Sequence, residues 1–158
     1  MRIAVYPGTF DPVTYGHLDI LHRAVKMFDK VIVAVAYDTN KQTLFNLRER
    51  QALLQFETKD MDNVEIMSFE GLTVDFARNN GAVALIRGLR AISDFEYEFQ
   101  LSLMNKKIAP DIETIFLMTQ SEFSFISSSS IKWAASLKAC VKEFVPPNVK
   151  IALDEKYK

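Results

Sequence analysis

Val31 to Ala36 reads VIVAVA, six apolar residues in a row. A strand with one wet face would alternate apolar and polar residues, so an unbroken run points to a strand covered on both faces. That is the setting of a parallel sheet with helices above and below it, and the rest of the chain has to fit those layers. Four more strand-like runs do: Ile3 to Tyr6, broken by Pro7-Gly8; Val64 to Phe69; Val83 to Arg87; and Thr114 to Met118.

Between these runs the apolar period becomes helical. Leu18, Leu21, Val25 and Phe28 predict a helix from about His17 to Phe28. Asn46 and Glu49 fit an N-cap and its reciprocal partner, opening a helix from Leu47 to about Lys59. A short helix from Thr73 to Asn80 ends at Gly81, and Ser93 with Glu96 caps a long one reaching about Ile108. A Ser-rich loop precedes a helix from Ile131 to Cys140, and beyond Val145-Pro146-Pro147 a last short helix is capped by Asn148. Five strands alternating with helices require right-handed crossovers. The expected fold is α/β: a doubly wound, Rossmann-like sheet of five parallel strands with helices on both faces, residues 1–158 forming one domain.

Charge and composition narrow the function. Lys and Arg number 19 against 20 Asp and Glu, a net charge of −1, whereas proteins that track nucleic-acid phosphates carry a marked basic excess. No nucleic-acid partner is expected. The single cysteine, Cys140, leaves no internal disulfide and suits a reducing compartment. No apolar run reaches membrane-spanning length and the chain opens on a strand, so the expectation is a cytoplasmic protein without a membrane partner.

Ligands of such sheets lie beyond the carboxyl ends of the strands, where the winding reverses. Strand-ending polar residues gather at that edge: Thr9 and His17 after the first run, Lys41 after the second, Arg87 and Arg90 after the fourth, and the serines up to Ser130 after the fifth. The loop from Pro7 to His17 feeds a helix N-terminus, whose N–H groups and dipole favour anions. Dinucleotide and P-loop glycine motifs are absent, as are G-x-S-x-G, CxxC and HExxH, and His17 and His22 are five apart. Phosphate handling by loops, helix ends and basic side chains is what remains.

Thr14 to His17 spells T-x-G-H, with Thr9 upstream, and resembles the signature of the nucleotidyltransferase superfamily. With Tyr6 to Asp19, Leu85 to Glu98 (LIRGLRAISDFEYE) and Phe125 to Ser129 (FISSS), the chain resembles the bacterial phosphopantetheine adenylyltransferases over nearly its whole length. The resemblance implies transfer of AMP from ATP to 4′-phosphopantetheine, giving dephospho-coenzyme A and pyrophosphate, with Mg²⁺. It implies catalytic roles for His17, Lys41 and Thr9. Thr9, Phe10, His17, Gly88, Leu89, Arg90, Glu98 and the segment Phe123, Ser124, Phe125, Ile126, Ser127, Ser128 and Ser129 are implied on the ATP side. Thr9, Lys41, Thr73 and Arg87 are implied on the acceptor side, with no metal ligand assigned. Tyr15, Phe123 and Thr73 depart from the commonest residues of the family. The resemblance also implies a homohexamer and feedback inhibition by coenzyme A.

The helix Ser93 to Ile108 is apolar on more than one face, with Phe95, Phe99 and Leu103 in one stripe and Tyr97, Leu101, Met104 and Ile108 in another. A helix apolar all round is buried deeper than one sheet allows, which predicts a subunit interface. Two alternatives stay open: another T-x-G-H nucleotidyltransferase with a different phosphorylated acceptor, and a non-catalytic ATP-binding module.

Overall fold

The computed structural model describes residues 1–37, 40, 42–90 and 92–158, the side chains of Ile92 and Ser93 excepted. Its elements are β1 (Ile3–Gly8), α1 (Tyr15–Ala24), β2 (Lys30–Ala36), α2 (Leu47–Glu57), β3 (Val64–Phe69), α3 (Thr73–Asn79), β4 (Ala84–Leu89), α4 (Ile92–Ile108), β5 (Glu113–Met118), α5 (Ser128–Ser136) and α6 (Pro147–Lys156), with a 3₁₀ turn at Ser121–Phe123. The strands pair in parallel in the order β3-β2-β1-β4-β5. Winding runs outward through β2 and β3, returns past β1, and runs outward again through β4 and β5. The reversal falls between β1 and β4, as the doubly wound expectation requires.

The apolar run of β2 is central and sealed on both faces: Val31, Val33, Ala34 and Val35 have no exposed surface. One face of the sheet packs against α1, α2, α5 and α6 through Leu18, Leu21, Leu54, Ile131 and Leu153. The other packs against α3 and the segment after α4, through Val74, Ala77, Ala109 and Ile112.

Four helix boundaries differ from the periodicity. α1 begins at Tyr15 and ends at Ala24, because Thr14 caps it and the chain turns after Ala24; Phe28 reaches the core from that turn. α4 begins at Ile92, which puts Ser93 inside the helix. α5 runs from Ser128 to Ser136, since Ser127 is its N-cap and exchanges hydrogen bonds with Ser130. In α6 the first turn starts at Pro147, whose ring presets the helical φ and whose missing N–H costs nothing there. Asn148 therefore lies within the helix instead of capping it, and its buried Oδ1 finds no hydrogen-bond partner among the described residues.

Candidate active site

A cavity of about 510 Å³ opens at the carboxyl ends of β1 and β4, at the switch point of the sheet. Its floor comes from the loop between β1 and α1. Phe10 adopts φ 51, a left-handed conformation costly for a side chain of this size. Its ring is buried and folds back over Gly8, where a Cβ would come within 3.0 Å of it. Glycine is the residue that leaves room for this fold. The Phe10 ring then meets Tyr6 and His17 edge-on, with centroids 5.4 and 4.9 Å away.

His17 is held from the other side by the start of its own helix. Thr14 Oγ1 accepts from the His17 N–H at 3.3 Å, and the Thr14 N–H donates to His17 Nδ1 at 3.1 Å. An imidazole nitrogen that accepts carries no proton, so the proton of the neutral ring sits on Nε2. Burial, reinforced by the charges of Arg90 and Arg87, lowers the His17 pKa to about 4. At neutral pH the cavity therefore contains an uncharged imidazole with one N–H to donate. Tyr6 beside it is likewise held neutral, burial pushing its hydroxyl above the ordinary value against the pull of Arg87 and Arg90.

The end of β4 supplies the cations. Arg87 Nε and Nη2 donate to the two oxygens of Glu98 at 2.7 and 2.5 Å, and Nη1 donates to the Pro7 carbonyl at 3.3 Å. Burial works against the charged guanidinium; the hydrogen bonds and charge of Glu98 outweigh it, leaving the pKa above the ordinary arginine value. Arg90 pairs with Asp94 at 2.9 Å and donates to the Ile126 carbonyl at 3.1 Å. That second bond ties the β4 end to the N-terminus of α5, where Ser127, Ser128 and Ser129 line the cavity. Ser128 Oγ also donates to the Pro12 carbonyl at 2.8 Å, fastening α5 to the β1–α1 loop.

The cavity brings together Thr9, Phe10, His17, Arg87, Gly88, Arg90, Glu98 and Ile126 to Ser129, all expected from the sequence. Other expected residues fall elsewhere. Lys41 lies outside the described residues. The Leu89 side chain is buried, since the strand runs one turn of its pleat beyond the arginine. Phe123 packs on Tyr15, Ser124 donates to the Ser121 carbonyl, and Phe125 leans edge-on against Phe144. Thr73 opens α3 and lines a smaller hollow of about 70 Å³ on the far side of Arg87 and Glu98, with Leu101, Ser102 and Asn105. Glu98, expected on the ATP side, turns both carboxylate oxygens to Arg87.

Three residues that the sequence reading did not single out organise the walls. Asp11 is buried and accepts from the N–H groups of Leu44 and Phe45 at 2.9 and 2.8 Å. It also pairs with Lys132 of α5 at 2.7 Å, and that lysine lines the cavity. Arg50 of α2 is 3 % exposed and donates to the carbonyls of Thr9, Ala36 and Phe45 at 2.8, 2.9 and 3.2 Å. Asp11 was visible as part of the polar loop; Arg50 reads like any solvated helical charge, because its acceptors are distant in sequence.

The site thus offers two arginines, a lysine, a neutral N–H donor and the positive end of a helix. Positioning and charge stabilisation on phosphates is the chemistry it can do. In the described residues no side chain is set up as an activated nucleophile: the His17 nitrogen that could act as a base is engaged by Thr14. Fold and site together define a group-transfer enzyme acting between phosphorylated molecules. The chain belongs to the cytidylyltransferase-like family, whose model matches residues 5–134. Within it, the chain is 71 % identical over 157 residues to the phosphopantetheine adenylyltransferase of Desulfitobacterium hafniense strain Y51, covering 99 % of this chain and 96 % of the relative. It is 59 % identical to the phosphopantetheine adenylyltransferase of Moorella thermoacetica, covering 99 % and 98 %. The fold matches a putative nicotinate-nucleotide adenylyltransferase from Vibrio parahaemolyticus with TM-score 0.73 at 18 % identity, over 99 % of this chain and 95 % of that one. It also matches a bifunctional NMN adenylyltransferase/ADP ribose pyrophosphatase from Francisella tularensis, complexed with AMP and a Mn ion, with TM-score 0.74 at 17 % identity, over 98 % of this chain and 48 % of that one.

Proposed function

We infer that this chain transfers AMP from ATP to 4′-phosphopantetheine, reversibly, forming dephospho-coenzyme A and pyrophosphate in coenzyme A biosynthesis. The observation that carries this reading is its near full-length likeness to proteins named for that activity. An oxygen of the acceptor's phosphate attacks the α-phosphorus of ATP, the bond to the bridging oxygen of the β-phosphate breaks, and pyrophosphate leaves with the electron pair. The acceptor is already an anion, so no base is required to make it a nucleophile. No bond to the protein forms.

In this reading the His17 Nε2–H donates to the α-phosphate as charge builds there, and Thr9, with the Phe10 main chain, holds the same phosphate. Gly88, Leu89 and Arg90 lie on the ATP side, Gly88 and Leu89 through their main chain. Phe123 to Ser129 cover the β- and γ-phosphates, the serines and the α5 N-terminus being the part that faces the cavity. Arg87 binds the acceptor phosphate, Lys41 neutralises it, and Thr73 borders the pantetheine arm in the smaller hollow. Mg²⁺ would be carried by ATP and would supply charge to offset its phosphates. The cavity's carboxylates, Asp11, Asp94 and Glu98, are each engaged by a cation, which fits an ion held through phosphate oxygens and water.

Residues 1–158 act as one nucleotidyltransferase unit, a cytoplasmic enzyme assembling as a homohexamer. The exposed apolar side of α4 supports the assembly, Tyr97 and Leu103 being 64 % and 57 % exposed. Coenzyme A, which shares the pantetheine arm, competes at the acceptor site. Pyrophosphate release with ATP tests the reaction: 4′-phosphopantetheine supports turnover, and turnover with nicotinate mononucleotide or glycerol phosphate in its place overturns the assignment.

A further inference from the structure

Tyr6 lies two residues short of the end of β1 and is 5 % exposed. Its ring belongs to the core on the α1 side of the sheet and meets Phe10 edge-on. The hydroxyl stands apart from that packing. Among the described residues it has no hydrogen-bond partner, and it is not sealed in the core, because Tyr6 lines the cavity at the switch point. Asp19, the carboxylate that acts on it electrostatically, is already engaged by Arg23 and by the Gln120 N–H. A phenylalanine would fill the same space without burying a polar group. A buried hydroxyl that the fold leaves unpaired at a cavity wall is a donor available to whatever enters the cavity.

The surrounding charges say what enters. Tyr6 lies in the field of Arg87 and Arg90, and so does His17. The two rings flank Phe10, with centroids 5.4 and 4.9 Å from it. Both polar tips are uncharged at neutral pH, burial outweighing the pull of the arginines on the phenol. Two guanidiniums therefore draw an anion towards two neutral donors that share one aromatic spacer.

We propose that Tyr6 is a further catalytic residue: its hydroxyl donates to a non-bridging oxygen of the ATP α-phosphate, beside the Nε2–H of His17. The role rests on the reading that His17 meets that phosphate. Those oxygens gather charge as the acceptor attacks, and a donor fixed on a central strand stabilises them without moving. A phenol kept neutral by burial holds its proton throughout. It adds a hydrogen bond and changes none of the bonds that form or break.

Tyr6→Phe removes one oxygen and keeps the ring, so it tests the hydroxyl alone. Pyrophosphate release by the full chain is followed with ATP and 4′-phosphopantetheine varied in turn, and thermal melting is measured beside it. The variant is expected to lose about tenfold in kcat with both KM values within about twofold. Its melting midpoint is expected at or above that of wild type, since the hydroxyl has no partner in the protein to lose. A kcat within about twofold of wild type overturns the proposal. So does a kcat loss accompanied by a midpoint lowered by more than about 3 °C, which makes the hydroxyl a structural group. A change confined to KM for 4′-phosphopantetheine moves the hydroxyl away from the α-phosphate and overturns it as well. Wild type failing to use 4′-phosphopantetheine overturns the reaction assignment and this role together; wild-type turnover matched by Tyr6→Phe overturns the role of Tyr6 alone.

Discussion

A histidine whose ring closes the first turn of its own helix has its tautomer chosen for it. Thr14 donates to Nδ1, and the proton is left on the nitrogen that is free to meet a phosphate. Burial, seconded by two arginines, places the pKa at about 4. In a histidine-resolved NMR titration, the His17 ring signals should stay those of a neutral imidazole down to about pH 5, with a midpoint near 4; a midpoint near 6.5 would refute this account. The sign for stability follows. The unfolded chain takes up a proton near pH 6.5 that the folded chain refuses until about 4, so this residue lowers stability as pH falls through that window, by up to about 1.4 kcal/mol per pH unit. The residues of this loop were readable because T-x-G-H is local: strand end, cap and histidine lie within a dozen residues. Leu89 and Phe123 to Phe125 were less so, because whether a side chain or only its main chain reaches a cavity depends on pleat and turn geometry that motif spacing does not encode.

Loops between a strand and a helix need an anchor if they are to hold phosphates at fixed distances. Here the anchors are Arg50 and Asp11. The guanidinium of Arg50 binds the carbonyls ending β2 and opening α2 to that of Thr9, and the carboxylate of Asp11 gathers Leu44, Phe45 and Lys132. Replacing Arg50 by Met leaves three inward-facing carbonyls without this donor, an expected loss of about 3 kcal/mol or more in urea unfolding. It should also reduce turnover through the displaced Thr9. A loss below about 1 kcal/mol would show that water replaces the guanidinium at no cost. The layers themselves followed from the apolar runs, and all five strands overlie those runs, although β1 continues through Pro7-Gly8, expected to break it, and β4 runs on past Arg87 to Leu89. Helix starts followed less well, since four serines and two prolines in sequence do not tell which residue will cap. At α5 the first serine of the run took the cap, and at α6 a proline preset the first turn instead of Asn148 capping it.

On the scale of the molecule, α4 is turned inside out relative to most helices that cover a sheet. Asp94, Glu98, Ser102 and Asn105 line the hollows on its inner side, and Phe95, Phe99, Leu103, Met104 and Ile108 face water in the single chain. Sedimentation at micromolar concentration should therefore give a mass several times that of one chain, and Phe99→Lys should shift it toward the monomer while leaving the five-stranded core folded. A wild-type monomer at that concentration would remove the argument for an interface here. The inverted helix also restricts how the protein can be altered. Residues that would be rewritten to make a lone copy more soluble alternate, one by one, with those that pair with the two arginines, so charge added to the back of the rod sits beside the acids at its front. Solubility and the wall of the site are inscribed on the same few turns and cannot be edited apart.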